Sequence, residues 1–135
     1  MTNSAVLIDT SIWIDYLRGN DHEAVEGVRD LIATGRARLC GMVVTELLAG
    51  IAKPGERDTL KYYLDAVQYL EVSKSTWILA GEISSNLRKK GTTLSTTDLI
   101  ICALAMETGS EILTTDRHFN DVPGLRLLEG RGLGP

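Results

Sequence analysis

Residues 5–8 read Ala-Val-Leu-Ile and are followed directly by Asp9. A short apolar run without polar alternation is typical of a strand that is buried on both faces, as in a parallel sheet. Similar runs recur at residues 38–40, 69–72 and 111–114, separated by segments with helical patterns. Strands that alternate with helices predict an α/β fold with a short, central, mostly parallel sheet flanked by helices.

One helical segment stands out by its composition. It begins at Ser95, is apolar nearly all round and ends at Gly109, so we expect it to be the central helix of the domain. Asp21 and Ser75 are expected to cap two further helices. Residues 125–128 predict a last strand at the edge of the sheet.

The length of 135 residues predicts a single domain over 1–135, with a loose tail from about residue 129 to 135. Hydrophobic residues make up 44% and charged residues 24% of the chain, which excludes a mainly disordered protein. The longest apolar run, between Leu99 and Met106, is too short to cross a membrane.

The two cysteines, Cys40 and Cys102, lie far apart in apolar surroundings and form no cluster with histidine. They predict buried, reduced thiols and give no support to a zinc site. The first residues, MTNSAV, lack the basic start and apolar core of a secretion signal. We therefore expect a cytoplasmic protein.

Four carboxylates stand where acids are rarely placed without a partner. Asp9 and Asp116 follow apolar strands, and the carboxyl ends of parallel strands meet at one edge of a sheet. Glu46 and Asp98 lie on helices with apolar or small residues three and four positions away, so Glu46 is expected on a core-facing stripe. Hard oxygen donors without a Cys or His cluster favour Mg²⁺ or Mn²⁺, and paired ions of this kind serve phosphodiester hydrolysis.

Most of these acids also have a purely structural explanation. Asp98 stands three residues after Ser95, as in a capping box. Asp9 and Asp116 each stand where an aspartate caps a following helical turn. Only Glu46, in the middle of its helix, has no cap to form.

The formal net charge of −4 gives no sign of a nucleic-acid binder. However, the four acids alone account for that excess, and the rest of the chain is electrically balanced. With divalent ions bound, such a site approaches neutrality and can accept a phosphate. The acidic total therefore does not exclude an RNA substrate.

Four sequence blocks, in order, resemble the PIN-domain ribonucleases and are most similar to the VapC toxins of toxin–antitoxin pairs. They are LIDTSIWIDYLRG (7–19), VVTELLAGI (43–51), LSTTDLIICALA (94–105) and ILTTDRHF (112–119). The resemblance covers nearly the whole chain and implies a parallel sheet flanked by helices. It also implies an Mg²⁺-dependent endoribonuclease, with Mn²⁺ as a substitute, that leaves 5′-phosphate and 3′-hydroxyl ends. Its implied partners are RNA, a VapB-like antitoxin whose C-terminal segment lies across the active-site groove, and a second copy in a homodimer.

The resemblance also assigns roles to residues. The four acids of the family fall on Asp9, Glu46, Asp98 and Asp116. Asp9, Asp98 and Asp116 are implied to bind Mg²⁺, while Glu46 completes the cage or orients a water. The family often adds a hydroxyl residue near the ion, for which Thr114 is the main candidate, followed by Thr10 and Ser11. Ordinary strand or capping use explains these three hydroxyls equally well.

Other interpretations stay open at this point. A phosphatase of the haloacid-dehalogenase type also places an aspartate after its first strand, but Ser11 stands where that family needs a second aspartate. A response-regulator receiver needs an acidic pair and a lysine that are not evident. A non-catalytic binding module is the third alternative, and it predicts no binding of Mg²⁺ or Mn²⁺.

Some side chains near these motifs carry weaker signals. Arg117 and His118 adjoin Asp116. Each is either a solvated loop side chain or a contact to an RNA phosphate. Trp13 and Trp77 fall in helical apolar patterns, which favours packing in the core or in a dimer over stacking on RNA bases.

Overall fold

Five short strands form one parallel sheet in the structure, a computed structural model that describes residues 4–128. The strands are β1 (Val6–Ile8), β2 (Ala37–Cys40), β3 (Gln68–Leu70), β4 (Glu111–Leu113) and β5 (Leu127–Leu128). Their order across the sheet is β3-β2-β1-β4-β5, and every pairing is parallel. The predicted α/β fold is therefore confirmed, while the tail expected at 129–135 lies outside the described residues.

In the described part of the chain, six helices flank the sheet. They are α1 (Thr10–Leu17), α2 (Glu23–Ala33), α3 (Gly41–Ala49), α4 (Pro54–Ala66), α5 (Lys74–Lys89) and α6 (Thr96–Thr108). A 3₁₀ turn at Arg117–Asp121 follows β4. Within residues 4–128, no helix combines the length and the apolarity needed to cross a bilayer.

The centre of the sheet fixes the geometry of its carboxyl edge. β1 lies between β2 and β4, and none of its three side chains is accessible to solvent. Its register with β4 pairs Ile8 with Leu113, and the backbone N–H of Asp9 donates to the Leu113 carbonyl at 2.9 Å. The residues that follow the two strands, Asp9 and Thr114, are therefore brought side by side.

Helix α6 is the central helix that its composition predicted. All residues from Leu99 to Ala105 are buried, and the helix ends at Gly109 in the left-handed conformation (φ 67°). A carboxylate near its C-terminal end, Glu107, accepts hydrogen bonds from the hydroxyls of Ser75 (2.6 Å) and Thr76 (2.5 Å) at the start of α5. The two helices thus form an antiparallel hairpin that is joined at this end by charge-assisted bonds.

Two predicted helix caps were wrong. Helix α5 is capped by Ser73 instead of Ser75, because the Ser73 N–H donates to the Thr76 hydroxyl while Ser75 binds Glu107. Helix α2 begins after His22 without a side-chain cap, so Asp21 is not its cap. The His22 ring instead contacts Asp15 of α1 at 2.9 Å.

Several burial predictions hold. Cys40 and Cys102 are free thiols in the core, and Trp13 is fully buried. Trp77, in contrast, lies on the surface of α5 with 52% of its side chain exposed, so it is not a core residue.

The core position of Ile101, which is 0% exposed on α6, generates a stability prediction. Ile101→Ala should lower the free energy of unfolding by about 2–5 kcal/mol, because it removes buried methyl groups and leaves a cavity. Ile101→Val at the same position should cost only about 0.5–1.5 kcal/mol. Urea denaturation of the three proteins measures both values, and equal stability of all three would contradict the described core.

Candidate metal centre

Asp9 occupies the turn between β1 and α1 and uses both of its carboxylate oxygens. Oδ1 accepts a hydrogen bond from the Thr10 N–H at 2.8 Å, which makes Asp9 the N-cap of α1. Oδ2 accepts a hydrogen bond from the Thr114 hydroxyl at 2.7 Å. Only 8% of the residue is exposed. The capping role and the site role therefore coexist in one side chain, since they use different oxygens.

Thr114 connects two of the acids. Its Oγ1 donates to Asp9 and accepts a hydrogen bond from the Asp116 N–H at 3.0 Å. A single hydroxyl therefore fixes the first acid against the loop that carries the last one. Of the three hydroxyl residues considered, Thr114 bonds Asp9 and Thr10 bonds Glu46, whereas Ser11 is exposed.

Asp116 caps the 3₁₀ turn. Its Oδ1 accepts from the His118 N–H at 2.9 Å and lies 2.8 Å from the His118 ring Nδ1. The histidine ring is 72% exposed, whereas the Asp116 side chain is 38% exposed. The cap by Asp116 agrees with the sequence pattern, whereas the contact of its carboxylate with the His118 ring was not predicted.

Asp98 lies in the first turn of α6. Its backbone N–H donates to the Ser95 hydroxyl at 3.1 Å, which supplies one arm of the expected capping box. Partial burial raises the pKa of the Asp98 carboxyl, and the charges of Asp9, Asp116 and Glu46 raise it further. The backbone therefore serves the cap while the carboxylate experiences the other three acids.

Glu46 does not face the core, which corrects the sequence-based expectation. It is exposed, because α3 buries the side chains of Val43 and Leu47 and turns Glu46 toward the start of α1. There, Oε1 accepts a hydrogen bond from the Thr10 hydroxyl at 2.6 Å. The small residues near Glu46 thus mark an open surface beside the other acids.

The acids act on one another electrostatically. Burial raises the pKa of Asp9, the hydrogen bond from Thr114 opposes that rise, and the charges of Glu46 and Asp116 add to it. Beneath the acids, burial raises the pKa of the Cys102 thiol to about 12, with smaller contributions from Asp98 and Asp9. The thiol therefore stays neutral, and the negative charge of this edge belongs to the carboxylates.

The donor set fits a hard divalent cation. Carboxylate oxygens are the ligands of Mg²⁺ and Mn²⁺, and a cation offsets the burial and, to a smaller extent, the mutual repulsion that raise the pKa of Asp9 and Asp98. Across residues 4–128, no three Asp, Glu, His or Cys side chains lie in positions from which they could hold a metal ion together. The carboxylates of Glu46, Asp9 and Asp116 accept hydrogen bonds from the Thr10 hydroxyl, the Thr114 hydroxyl and the His118 N–H, respectively.

Comparison with known proteins assigns the chain to a family. The sequence profile of the PIN domain matches residues 6–125. The chain belongs to the PIN domain family. Among curated relatives, ribonuclease VapC11 of Mycobacterium tuberculosis is 30% identical over 128 residues, covering 92% of this chain and 96% of that protein. Ribonuclease VapC19 of the same organism is 32% identical over 122 residues, covering 89% and 96%.

A solved structure shows the same PIN fold. The crystal structure of VapBC2 from Rickettsia felis, bound to a promoter DNA fragment, superposes with a TM-score of 0.80 at 20% identity. The superposition covers 91% of this chain and 96% of that chain. Because the VapC11 and VapC19 relatives are 30% and 32% identical over most of the chain, this PIN domain is of the VapC type. The haloacid-dehalogenase and receiver alternatives are therefore excluded as families.

The raised pKa of Asp98 predicts a gain in stability when the charge is removed from the metal-free PIN domain. When the pKa of a carboxyl is raised in the folded state, the folded protein loses stability as the pH rises from the unfolded-state pKa through the folded-state pKa. At neutral pH the ionised Asp98 side chain therefore destabilises the fold. Asp98→Asn should therefore raise the melting temperature in EDTA by a few degrees. In excess Mg²⁺ the wild-type protein should have the higher melting temperature, because an ion that binds the folded state stabilises only the protein with the unaltered site.

Thermal unfolding in the two buffers measures both effects. Asp65→Asn, at an exposed acid on α4, is the control and should leave the melting temperature unchanged in each buffer. Destabilisation of the Asp98→Asn protein in EDTA would contradict the electrostatic description.

Proposed function

We propose that this VapC-type PIN domain is an Mg²⁺-dependent endoribonuclease and the toxin of a toxin–antitoxin pair. The observation that carries the proposal is the set of four acids at one sheet edge, where Asp9 and Asp98 have raised pKa values because of burial and mutual repulsion. The curated relatives, which are named ribonucleases, support the same activity. The substrate is RNA, and the expected products carry 5′-phosphate and 3′-hydroxyl ends.

Asp9, Asp98 and Asp116 would hold Mg²⁺, or Mn²⁺ as a substitute, with Glu46 beside them. When bound, the ion supplies a more acidic water and a positive charge against the phosphate. The protein contributes the positions of the acids. Thr114 holds Asp9 in place, and Thr10 keeps the Glu46 carboxylate next to the start of α1.

A cognate VapB-like antitoxin is the proposed protein partner. The solved VapBC2 complex of Rickettsia felis supports this, because its toxin chain has the same fold over almost the whole length of this chain. We place the activity in the cytoplasm, where the reduced state of Cys40 and Cys102 is maintained.

Substitution of the acids tests the catalytic proposal. Asp9→Asn and Asp98→Asn should each lower the rate of RNA hydrolysis by more than about 100-fold, because each removes a charged ligand while keeping the side-chain shape. Excess EDTA should abolish hydrolysis by the unaltered protein, and added Mn²⁺ should restore it. The measurement is the initial rate on a labelled RNA, with Asp65→Asn as the matched surface control.

Undiminished hydrolysis by either variant, or in EDTA, would falsify the metal-dependent mechanism. The alternative of a non-catalytic binding module predicts a different result. For a binding module, calorimetric titration with Mg²⁺ or Mn²⁺ should show no binding, and no RNA should be cleaved.

A homodimer is also proposed, and exposed apolar side chains on α5 support it. Trp77 is 52% exposed and its neighbour Ile78 is 55% exposed, although large apolar side chains usually seek burial. A second copy of the chain, which the family resemblance implies, would cover them. Trp77→Ser should then raise the dimer dissociation constant by at least about tenfold, as expected for an aromatic anchor.

Light scattering coupled to gel filtration measures the mass over a dilution series. Tyr62→Ser is the control, since Tyr62 is 67% exposed on another helix, α4, and should leave the dimer intact. A monomeric wild-type protein would overturn the dimer. A dimer unaffected by Trp77→Ser would show that α5 does not form its interface.

A further inference from the structure

A small cavity lies next to the acids, and most of its wall consists of residues with no proposed role in holding the ion. Its volume is about 250 Å³, and it shares two wall residues, Thr114 and Asp116, with the candidate metal centre. The rest of its wall includes Thr115, Asn120 and the two leucines of β5. The cavity and the acid site are therefore neighbouring parts of one concave surface.

The strand order sets the distance between the two. Asp9 follows β1, the cavity lies between the ends of β4 and β5, and the sheet order is β1-β4-β5. Leu128 is level with Leu113 in the register of β4 with β5, so the cavity opens at the same carboxyl edge as the acids. Neighbouring strands are about 4.8 Å apart, which puts the midpoint between β4 and β5 roughly 7 Å from the line of β1, which Asp9 follows. In an RNA whose cleaved phosphate lies at the acids, the adjacent nucleotide can therefore reach the cavity.

The lining has the chemistry that a nucleobase requires. Leu127 and Leu128 offer an apolar surface to a ring face, and the Asn120 amide offers both hydrogen-bond donors and an acceptor to a base edge. Arg117, also on the wall and exposed, supplies a guanidinium that suits a phosphate. The volume is below the range of about 300–1,000 Å³ that is common for larger ligands, which favours a single base.

We propose that this cavity binds the nucleobase adjacent to the cleaved phosphate and that Asn120 determines which base is accepted there. Arg117 binds a phosphate of the same RNA without regard to sequence. The inference rests on the proposed ribonuclease function and adds the residue that sets its sequence preference.

Sequencing of cleavage ends from a randomised RNA tests the role of Asn120. The wild-type protein should prefer one base at one position next to the cut, and Asn120→Ala should reduce that preference by roughly tenfold, because the hydrogen bonds to the base edge are lost. Asn120→Asp, which has only acceptors, should shift the preference toward bases that present an amino group. Arg117→Ala should slow cleavage of all sequences alike and keep the preference.

Asn86→Ala, at an exposed asparagine on α5, is the matched control and should change neither rate nor preference. An unchanged base preference in both Asn120 variants overturns the proposal. Thermal unfolding of each variant establishes that it is folded. If one Asn120 variant does not fold, unchanged base preference in the other overturns the proposal.

A binding experiment separates this proposal from the catalytic one. In the Asp98→Asn background, fluorescence anisotropy with short RNAs that differ in one base measures recognition without cleavage. Discrimination among these RNAs that Asn120→Ala removes supports the cavity as the base site. If the wild-type protein cleaves none of the RNAs, the ribonuclease proposal is wrong. If it does cleave, but the wild-type protein and Asn120→Ala discriminate equally among the RNAs, only the proposed base site is wrong.

Discussion

The parallel pairing of β1 with β4 determines the position of the whole acidic edge. It sets Ile8 opposite Leu113, so that Asp9 and Thr114 leave the sheet side by side and share a hydrogen bond of 2.7 Å. Through the same hydroxyl, Thr114 also holds the backbone of Asp116. A shift of one residue in this register would turn the β1 side chains to the opposite faces and separate these groups.

The cost of gathering four like charges is borne by the apolar interior beneath them. Asp98 lies in the first turn of α6, and the seven residues after it, Leu99 to Ala105, are all buried. Asp9 directly follows β1, a strand with no exposed side chain. Rigid, buried elements can hold carboxylates in positions that burial and mutual repulsion disfavour, as the raised pKa values of Asp9 and Asp98 record. Without a cation, the carboxylates that would bind it therefore lower the stability of the folded state at this edge.

The sequence alone was sufficient for the features set by strand ends and apolar composition. Asp9, Thr114 and the buried helix α6 could be predicted because parallel strands end at one edge and an all-round apolar helix must be central. Glu46 was misplaced because small neighbours accompany both a core stripe and an open groove, and only tertiary packing distinguishes them. The Ser75 cap failed for a related reason, since the Ser75 hydroxyl binds Glu107, which is distant in sequence.

The central claim is that Asp9, Asp98 and Asp116 form one cation site. Crystals grown with Mn²⁺ and measured for anomalous scattering test it most directly, because the signal locates the ion without reference to activity. We expect an anomalous peak within about 2.5 Å of carboxylate oxygens from these three residues. A peak elsewhere, or none at this edge at saturating Mn²⁺, would contradict it.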